Sequence, residues 1–146
     1  MNIYLDIDGV ILGTKSPKRD IIRLLKYILK HYSDSTYWLT THCKDGVNRC
    51  AEWLGQNDLP EDLVLKLEQT VKATDWEMLK TEAIDFNQPF VWFDDAPFGS
   101  ERLVLEKNGV SDGCFIMDKR NPKMAKIALK YLKDIKRSQY GGQRHF

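Results

Sequence analysis

Apolar residues along this chain come in short runs and in helical stripes that alternate, and each run or stripe predicts one element. Asn2–Ile7 is β-branched and aromatic and reads as a first strand. Pro17 then opens a helix whose apolar positions Ile21, Leu25, Ile28 and Tyr32 keep one face, widened by Leu24 and Leu29. Ser35–Thr40 predicts a short second strand, and Asp45–Gln56 a helix buried through Val47, Cys50, Ala51 and Leu54. Asp62–Leu67 predicts a third strand, and Asp75 is placed to cap a helix carrying Trp76, Leu79, Ala83 and Ile84. Pro89–Asp95 is an apolar strand that ends in two acids. A helix over Ser100–Lys107, a strand over Gly113–Met117 and a last helix over Pro122–Arg137 complete the series. In that last helix Met124, Ile127, Ala128, Tyr131, Leu132 and Ile135 are expected to face inward, with 138–146 as a loose tail.

Five alternations of strand and helix predict an α/β fold, a three-layer Rossmann-like sandwich around a mostly parallel five-stranded sheet. The first and fourth runs are continuously apolar, as central parallel strands are. The 146 residues suffice for one domain, over 1–137, with no internal repeat or linker.

Polar residues gather where the predicted strands stop. Asp6 and Asp8 close the first strand, Thr40 and Thr41 the second, Asp94 and Asp95 the fourth. A parallel sheet brings its carboxyl ends to one edge, and open α/β sheets bind ligands outside that edge. Four carboxylates and two hydroxyls thus converge on one crevice. Clustered carboxylates repel, and a cation relieves them. An all-oxygen donor set suits Mg²⁺ bound through one or two carboxylates and a substrate phosphate. Beside such a cation one carboxylate can attack phosphorus. A second, two residues on, can protonate the leaving oxygen and then activate water. A hydroxyl and a lysine to hold the phosphate oxygens are available in Thr40, with Thr41 as its neighbour, and Lys80.

The motifs LDIDGV, WLTT, MLKTEAI and FVWFDD, in that order from Ile3 to Asp95, resemble the four motifs of the haloacid dehalogenase (HAD) superfamily. The resemblance implies that Asp6 is the nucleophile and Asp8 the general acid/base. It implies that Thr40 binds the phosphoryl group and that Lys80 neutralises nucleophile and phosphate. Asp94 would join Asp6 and the Asp8 backbone carbonyl around Mg²⁺, with Asp95 beside it. Aspartate at Asp8 points to phosphoester chemistry rather than dehalogenation. The resemblance also implies strand order 3-2-1-4-5, a tight turn beginning at Gly9 and Val10, and a flap over Gly13–Ser16. Only 31 residues lie between Asp8 and Thr40, and 39 between Thr40 and Lys80, which leaves no room for a cap domain. The expectation is therefore a capless phosphatase with an open site. Large phosphorylated substrates, nucleic-acid ends or phosphoproteins, and small phosphate esters all stay open. So does a low-turnover phosphate- or protein-binding module of the same fold.

Charge sharpens one of these. The net charge is +1, yet 118–146 holds nine Lys/Arg against two acids, leaving the preceding 117 residues at −6. Lys123, Lys126, Lys130, Lys133 and Arg137 recur at helical spacing as a basic stripe, either a solvated face or a track for nucleic acid. Three cysteines without paired spacing suit a reducing cytoplasm, and the first strand begins at once, unlike a signal peptide. No run approaches the roughly 20 apolar residues of a membrane span, so no membrane partner is expected. Cys43 beside His42 lacks zinc spacing, and Cys50 and Cys114 read as packing.

Overall fold

The computed structural model describes residues 1–143 and the side chains of residues 1–139. Four parallel strands form the sheet: β1 (Asn2–Leu5), β2 (Thr36–Trp38), β3 (Phe90–Asp94) and β4 (Cys114–Ile116), in the order β2-β1-β3-β4. Register pairs Ile3 with Thr36 and Val91, and Phe93 with Phe115, so β1 and β3 lie side by side at the centre. Among the described residues five α-helices connect or follow the strands: α1 (Lys18–His31), α2 (Cys50–Gln56), α3 (Glu61–Thr70), α4 (Gly99–Lys107) and α5 (Met124–Gln143).

Side chains alternate along the central strands and supply two cores. Ile3, Leu5, Val91 and Phe93 pack with Leu24, Leu25 and Ile28 of α1 and Ala125, Ala128 and Leu132 of α5. Tyr4, Phe90 and Trp92 point the other way and pack with Leu105 of α4, Trp76 and Ile84. With both faces covered, the strands carry no polar face, which is why they read as unbroken apolar runs. Leu54, Leu63 and Leu67 of α2 and α3 are buried in the first of these cores, so the interval between β2 and Lys80 belongs to the main body.

The sheet has four strands, not five, and its order is not 3-2-1-4-5, because the predicted third strand is a helix. Asp62–Leu67 alternates Leu63, Leu65 and Leu67, a strand-like pattern, but Pro60 caps α3 and Glu61 and Asp62 fill its first turn. Leu63 and Leu67, one helical turn apart, are buried, while Leu65 is 54% exposed. The outer edge of β2 forms a single bridge to Lys72, whose backbone N–H donates to the Thr36 carbonyl (3.1 Å) and whose carbonyl accepts from the Trp38 N–H (2.7 Å), and the Thr74 hydroxyl donates to the Trp38 carbonyl (2.6 Å).

Two predicted helices are shorter than expected for related reasons. The Asp45–Gln56 helix starts only at Cys50, since the 3₁₀ stretch Thr41–Gly46 is kinked at Lys44 and Asp45, with φ of 64° at Asp45 and 79° at Gly46. Val47 is consequently half exposed rather than buried. The helix expected from Asp75 is reduced to a 3₁₀ turn over Lys80–Ala83. There the Glu82 carboxylate accepts the N–H groups of Glu77, Met78 and Leu79, and a side chain so used replaces a helical ladder. The last helix is longer than expected. It runs through Gln143, so 138–143 is helical, and 144–146 of the predicted tail lie outside the described residues. Within it Ile127 is 43% exposed, because the buried stripe follows Met124, Ala125, Ala128 and Leu132.

Candidate active site

β1 and β3 end side by side, and their carboxylates meet there. The Asp6 N–H donates to the Phe93 carbonyl at 3.1 Å, carrying the strand pairing one step past Leu5. Asp6 Oδ1 accepts from the Ile7 N–H at 2.8 Å, and Asp94 Oδ1 accepts from the Ala96 N–H at 3.0 Å. Each buried carboxylate is thereby held by its own following backbone, with Oδ2 left over. Lys80 Nζ donates to both of these, at 3.0 Å to Asp6 and 2.8 Å to Asp94.

Lys80 reaches this point from the 3₁₀ turn because its backbone is tied down. Its N–H donates to Glu101 Oε2 at 2.7 Å, and Glu101 Oε1 accepts from the Phe98 N–H at 2.8 Å. Glu101, only 2% exposed on the first turn of α4, thus links the Lys80 loop to the loop following Asp95.

Burial dominates the electrostatics. It pushes the Asp6 carboxyl up to about 6; Lys80 offsets part of this and repulsion from Asp94 adds to it. Burial also works against the Lys80 charge, but Asp6 and Asp94 together outweigh it and hold the ammonium above its usual value. Asp6, Asp94 and Asp95 each offer an oxygen within 4.8 Å of the others, a group able to hold a metal ion. Asp8, assigned to the metal through its backbone carbonyl, has a carboxylate outside that group. The third acid is placed by glycine: Gly9 has φ of 81°, and a Cβ there would collide with the Asp95 carboxylate. Asp95 Oδ2 in turn lies 3.6 Å from Lys119 Nζ.

A cavity of about 400 Å³ opens over the cluster, taking in Asp6, Asp8, Thr41, Lys80, Asp95 and Lys119. Its threonine is Thr41, which is exposed. Thr40, favoured from sequence, is fully buried, with Oγ1 accepting from the His42 N–H at 3.4 Å as the cap of the 3₁₀ turn. Asp8, 60% exposed at its side chain, faces His42 and Trp53: His42 Nε2 lies 2.7 Å from Oδ2 and Trp53 Nε1 donates to Oδ1 at 3.3 Å.

The expected residues Asp6, Asp8, Lys80, Asp94 and Asp95 therefore meet at one edge, whereas Glu101, Lys119 and Trp53 were not anticipated. Glu101 did carry a signal, three residues after the cap position Phe98 as in a capping box. Nothing local pointed Trp53 toward Asp8. Cys43 and Cys50 are buried free thiols, and Cys43 Sγ donates to the Thr40 and Thr74 carbonyls at 3.4 and 3.3 Å.

The basic stripe is separate from this cluster. Lys126, Lys130, Lys133 and Arg137 are exposed on α5 and Lys123 in the turn before it, and Lys126, Lys130 and Lys133 line a groove of about 220 Å³ with Arg23 and the buried Asp20 of α1. No helix among the described residues is long and apolar enough to cross a membrane. No protein-family model, no curated protein and no solved structure matches this chain.

Proposed function

We propose that this chain is a Mg²⁺-dependent phosphomonoesterase of the HAD type, in which Asp6 carries the phosphoryl group between two half-reactions. The observation behind the reading is the Lys80 bridge: one buried ammonium donates to two carboxylates that end neighbouring strands, beside a cavity that also takes in Asp8. A purely structural ion pair has no need of further acids, yet Asp95 and Asp8 adjoin this one.

Three clustered carboxylates against the buried Lys80 and the exposed Lys119 still leave negative charge uncompensated, and an all-oxygen donor set fits Mg²⁺. Asp6, Asp94 and Asp95 would hold it, with the Asp8 carbonyl. Bound there, Mg²⁺ would supply positive charge to the phosphate oxygens and orient them. The remaining work belongs to the chain. Asp6 Oδ attacks phosphorus as the ester P–O bond breaks, and Asp8 gives a proton to the leaving oxygen. Water then attacks the aspartyl-phosphate, its proton returning to Asp8 as the bond to Asp6 breaks. Lys80 counters charge on Asp6 and on the transferred group, and the Thr41 hydroxyl, exposed in the cavity, donates to a phosphate oxygen.

Assaying a panel of phosphomonoesters with Mg²⁺ and with EDTA tests the reading. Turnover is expected only with the metal. Equal turnover in EDTA would remove the metal from the proposal, and no turnover across the panel would favour the binding module instead.

A second reading, favoured by the α1–α5 groove, narrows the substrate to a phosphorylated end of nucleic acid. Among the described residues Arg23, Lys123, Lys126 and Lys133 have no ion-pair partner, while Lys130 pairs with Asp134 at 2.9 Å. Free cations at helical spacing suit a phosphate backbone. Lys126→Glu with Lys133→Glu should lower kcat/KM on a 5′-phosphorylated oligonucleotide about tenfold more than on an aryl phosphate, the gap shrinking in high salt. Equal effects on both substrates would leave the stripe a solvated face.

A further inference from the structure

Asp8 differs from the other acids of the site in how it is held. Asp6 and Asp94 are buried and fixed by their own backbone, whereas the Asp8 side chain is 60% exposed. An exposed carboxylate at a strand end ordinarily samples several rotamers. Here both oxygens are engaged, and by residues distant in sequence. His42 Nε2 lies 2.7 Å from Oδ2, and Trp53 Nε1 donates to Oδ1 at 3.3 Å. The two rings stack, with centroids 5.1 Å apart and planes 19° from parallel, so each fixes the other.

Their backbones are fixed as well. The His42 N–H is capped by Thr40 and its carbonyl accepts from the Arg49 N–H at 2.8 Å. The Trp53 N–H donates to the Arg49 carbonyl at 3.0 Å, and the Trp53 carbonyl accepts from Asn57 Nδ2 at 2.8 Å. Arg49 thus joins the His42 turn to the start of α2. Holding one exposed carboxylate would be a poor use of this much order if Asp8 had no task, since each immobilised side chain costs entropy.

We propose that His42 and Trp53 are positioning residues for Asp8, holding its carboxylate toward the leaving group of the phosphate ester. This rests on the phosphatase reading above. A carboxylate has about four lone-pair sites. Two face the ring nitrogens, the others are left free, and Asp8 lines the cavity that also takes in Asp6 and Lys80. In the first half-reaction the proton leaves Asp8 for the ester oxygen and negative charge appears on Asp8. Trp53 can only donate, and an imidazole protonated at Nε2 also donates, so both contacts strengthen as that charge develops. In the second, the proton of the attacking water returns to Asp8. Neither ring gains or loses a proton over the cycle; their part is orientation and charge stabilisation.

The consequence is selective. A nitrophenolate departs with little help from an acid, but an alkoxide needs its proton. Losing the clamp should therefore harm alkyl phosphates far more than activated aryl phosphates. A collapse of the fold, or loss of the Lys80 cluster, would harm both alike.

The experiment measures kcat and KM for p-nitrophenyl phosphate and for glycerol 2-phosphate in wild type, His42→Ala, His42→Gln and Trp53→Phe. Trp53→Phe retains a stacking ring and removes the N–H, and His42→Gln retains a donor at similar reach. We expect His42→Ala to lower kcat on the alkyl phosphate by about tenfold to 100-fold more than on the aryl phosphate, with smaller selective losses for Trp53→Phe. His42→Gln should recover most of the difference. Equal losses on both substrates, or no loss, would overturn the proposal. A wild type that hydrolyses neither substrate overturns the phosphatase reading when the wider panel, phosphorylated oligonucleotides included, is not turned over either. The clamp is then decided by ¹⁵N NMR of the His42 ring, whose Nε2 resonance must shift in Asp8→Asn; an unmoved resonance would overturn the clamp itself.

Discussion

Asp6→Asn is expected to abolish turnover and, in metal-free protein at pH 8, to make the fold more stable than wild type. The first effect follows from its role as attacking atom: an amide is no nucleophile toward phosphorus, and removing a nucleophile costs on the order of 10³-fold or more. The second follows from burial. Asp6 is 8% exposed and its carboxyl is pushed from 3.8 to about 6 by desolvation and by Asp94, despite Lys80. Between those values Asp6 binds more protons in the native state than in the unfolded chain, so its own contribution to stability is greatest below about pH 4 and declines as pH rises through 6. A shift of this size corresponds to about 3 kcal/mol at most. Since the amide also forfeits attraction to Lys80, we expect a gain of ~1–2 kcal/mol.

Urea denaturation in EDTA at several pH values measures it. The advantage of Asp6→Asn should be full at pH 8 and vanish near pH 4. Adding Mg²⁺ should reverse the order, because wild type gains about 2.7 kcal/mol at a hundredfold excess over Kd while the variant, one ligand short, gains less. A variant less stable than wild type at pH 8 in EDTA would mean that the charge of Asp6 is fully compensated within the chain, and the electrostatic argument for a metal would fail with it.

The central elements were legible in sequence because their patterns had one solution. β1 and β3 are buried on both faces, and α1 repeats its apolar residues at helical spacing, so run and stripe named them. Their ends followed, and with them Asp6, Asp8, Asp94 and Asp95. The errors cluster where a short segment fits two periods. Leu63 and Leu67 satisfy both a strand and one helical turn, and the choice lay with Pro60 and two acids ahead of them. The Asp75 helix gave way to a carboxylate, Glu82, that binds three backbone donors, which no periodicity reveals. Thr40 and Thr41 are adjacent and chemically alike; burial of the first as a cap is a property of the turn that follows. Trp53 and Glu101 act across 45 and 21 residues of sequence, so their partners emerge only from the packed chain.

Lys80→Met should shift stability in the opposite direction from Asp6→Asn while also removing activity. Methionine fills similar volume but leaves Asp6 and Asp94 buried without their shared cation. Removing one partner of a buried ion pair costs about 3–5 kcal/mol, far more than the pair itself contributes. The loss should be largest at neutral pH in EDTA and should diminish on acidification, as protonation removes the charges left behind, or on adding Mg²⁺. Turnover should fall by about 10²- to 10³-fold even when Mg²⁺ restores the fold, because charge stabilisation at the transferred phosphoryl is lost. Combining the two substitutions separates interaction from packing. In Asp6→Asn with Lys80→Met only Asp94 is left of the two carboxylates that Lys80 bridges, so part of the damage done by Lys80→Met is relieved. The double variant should be more stable than Lys80→Met alone, with a coupling of ~1–3 kcal/mol. Strict additivity in EDTA at pH 8 would mean that Lys80 and Asp6 do not sense one another, against the 3.0 Å contact. The carboxylates would then owe their burial to packing, and the pairing that underlies the proposed chemistry would have to be abandoned.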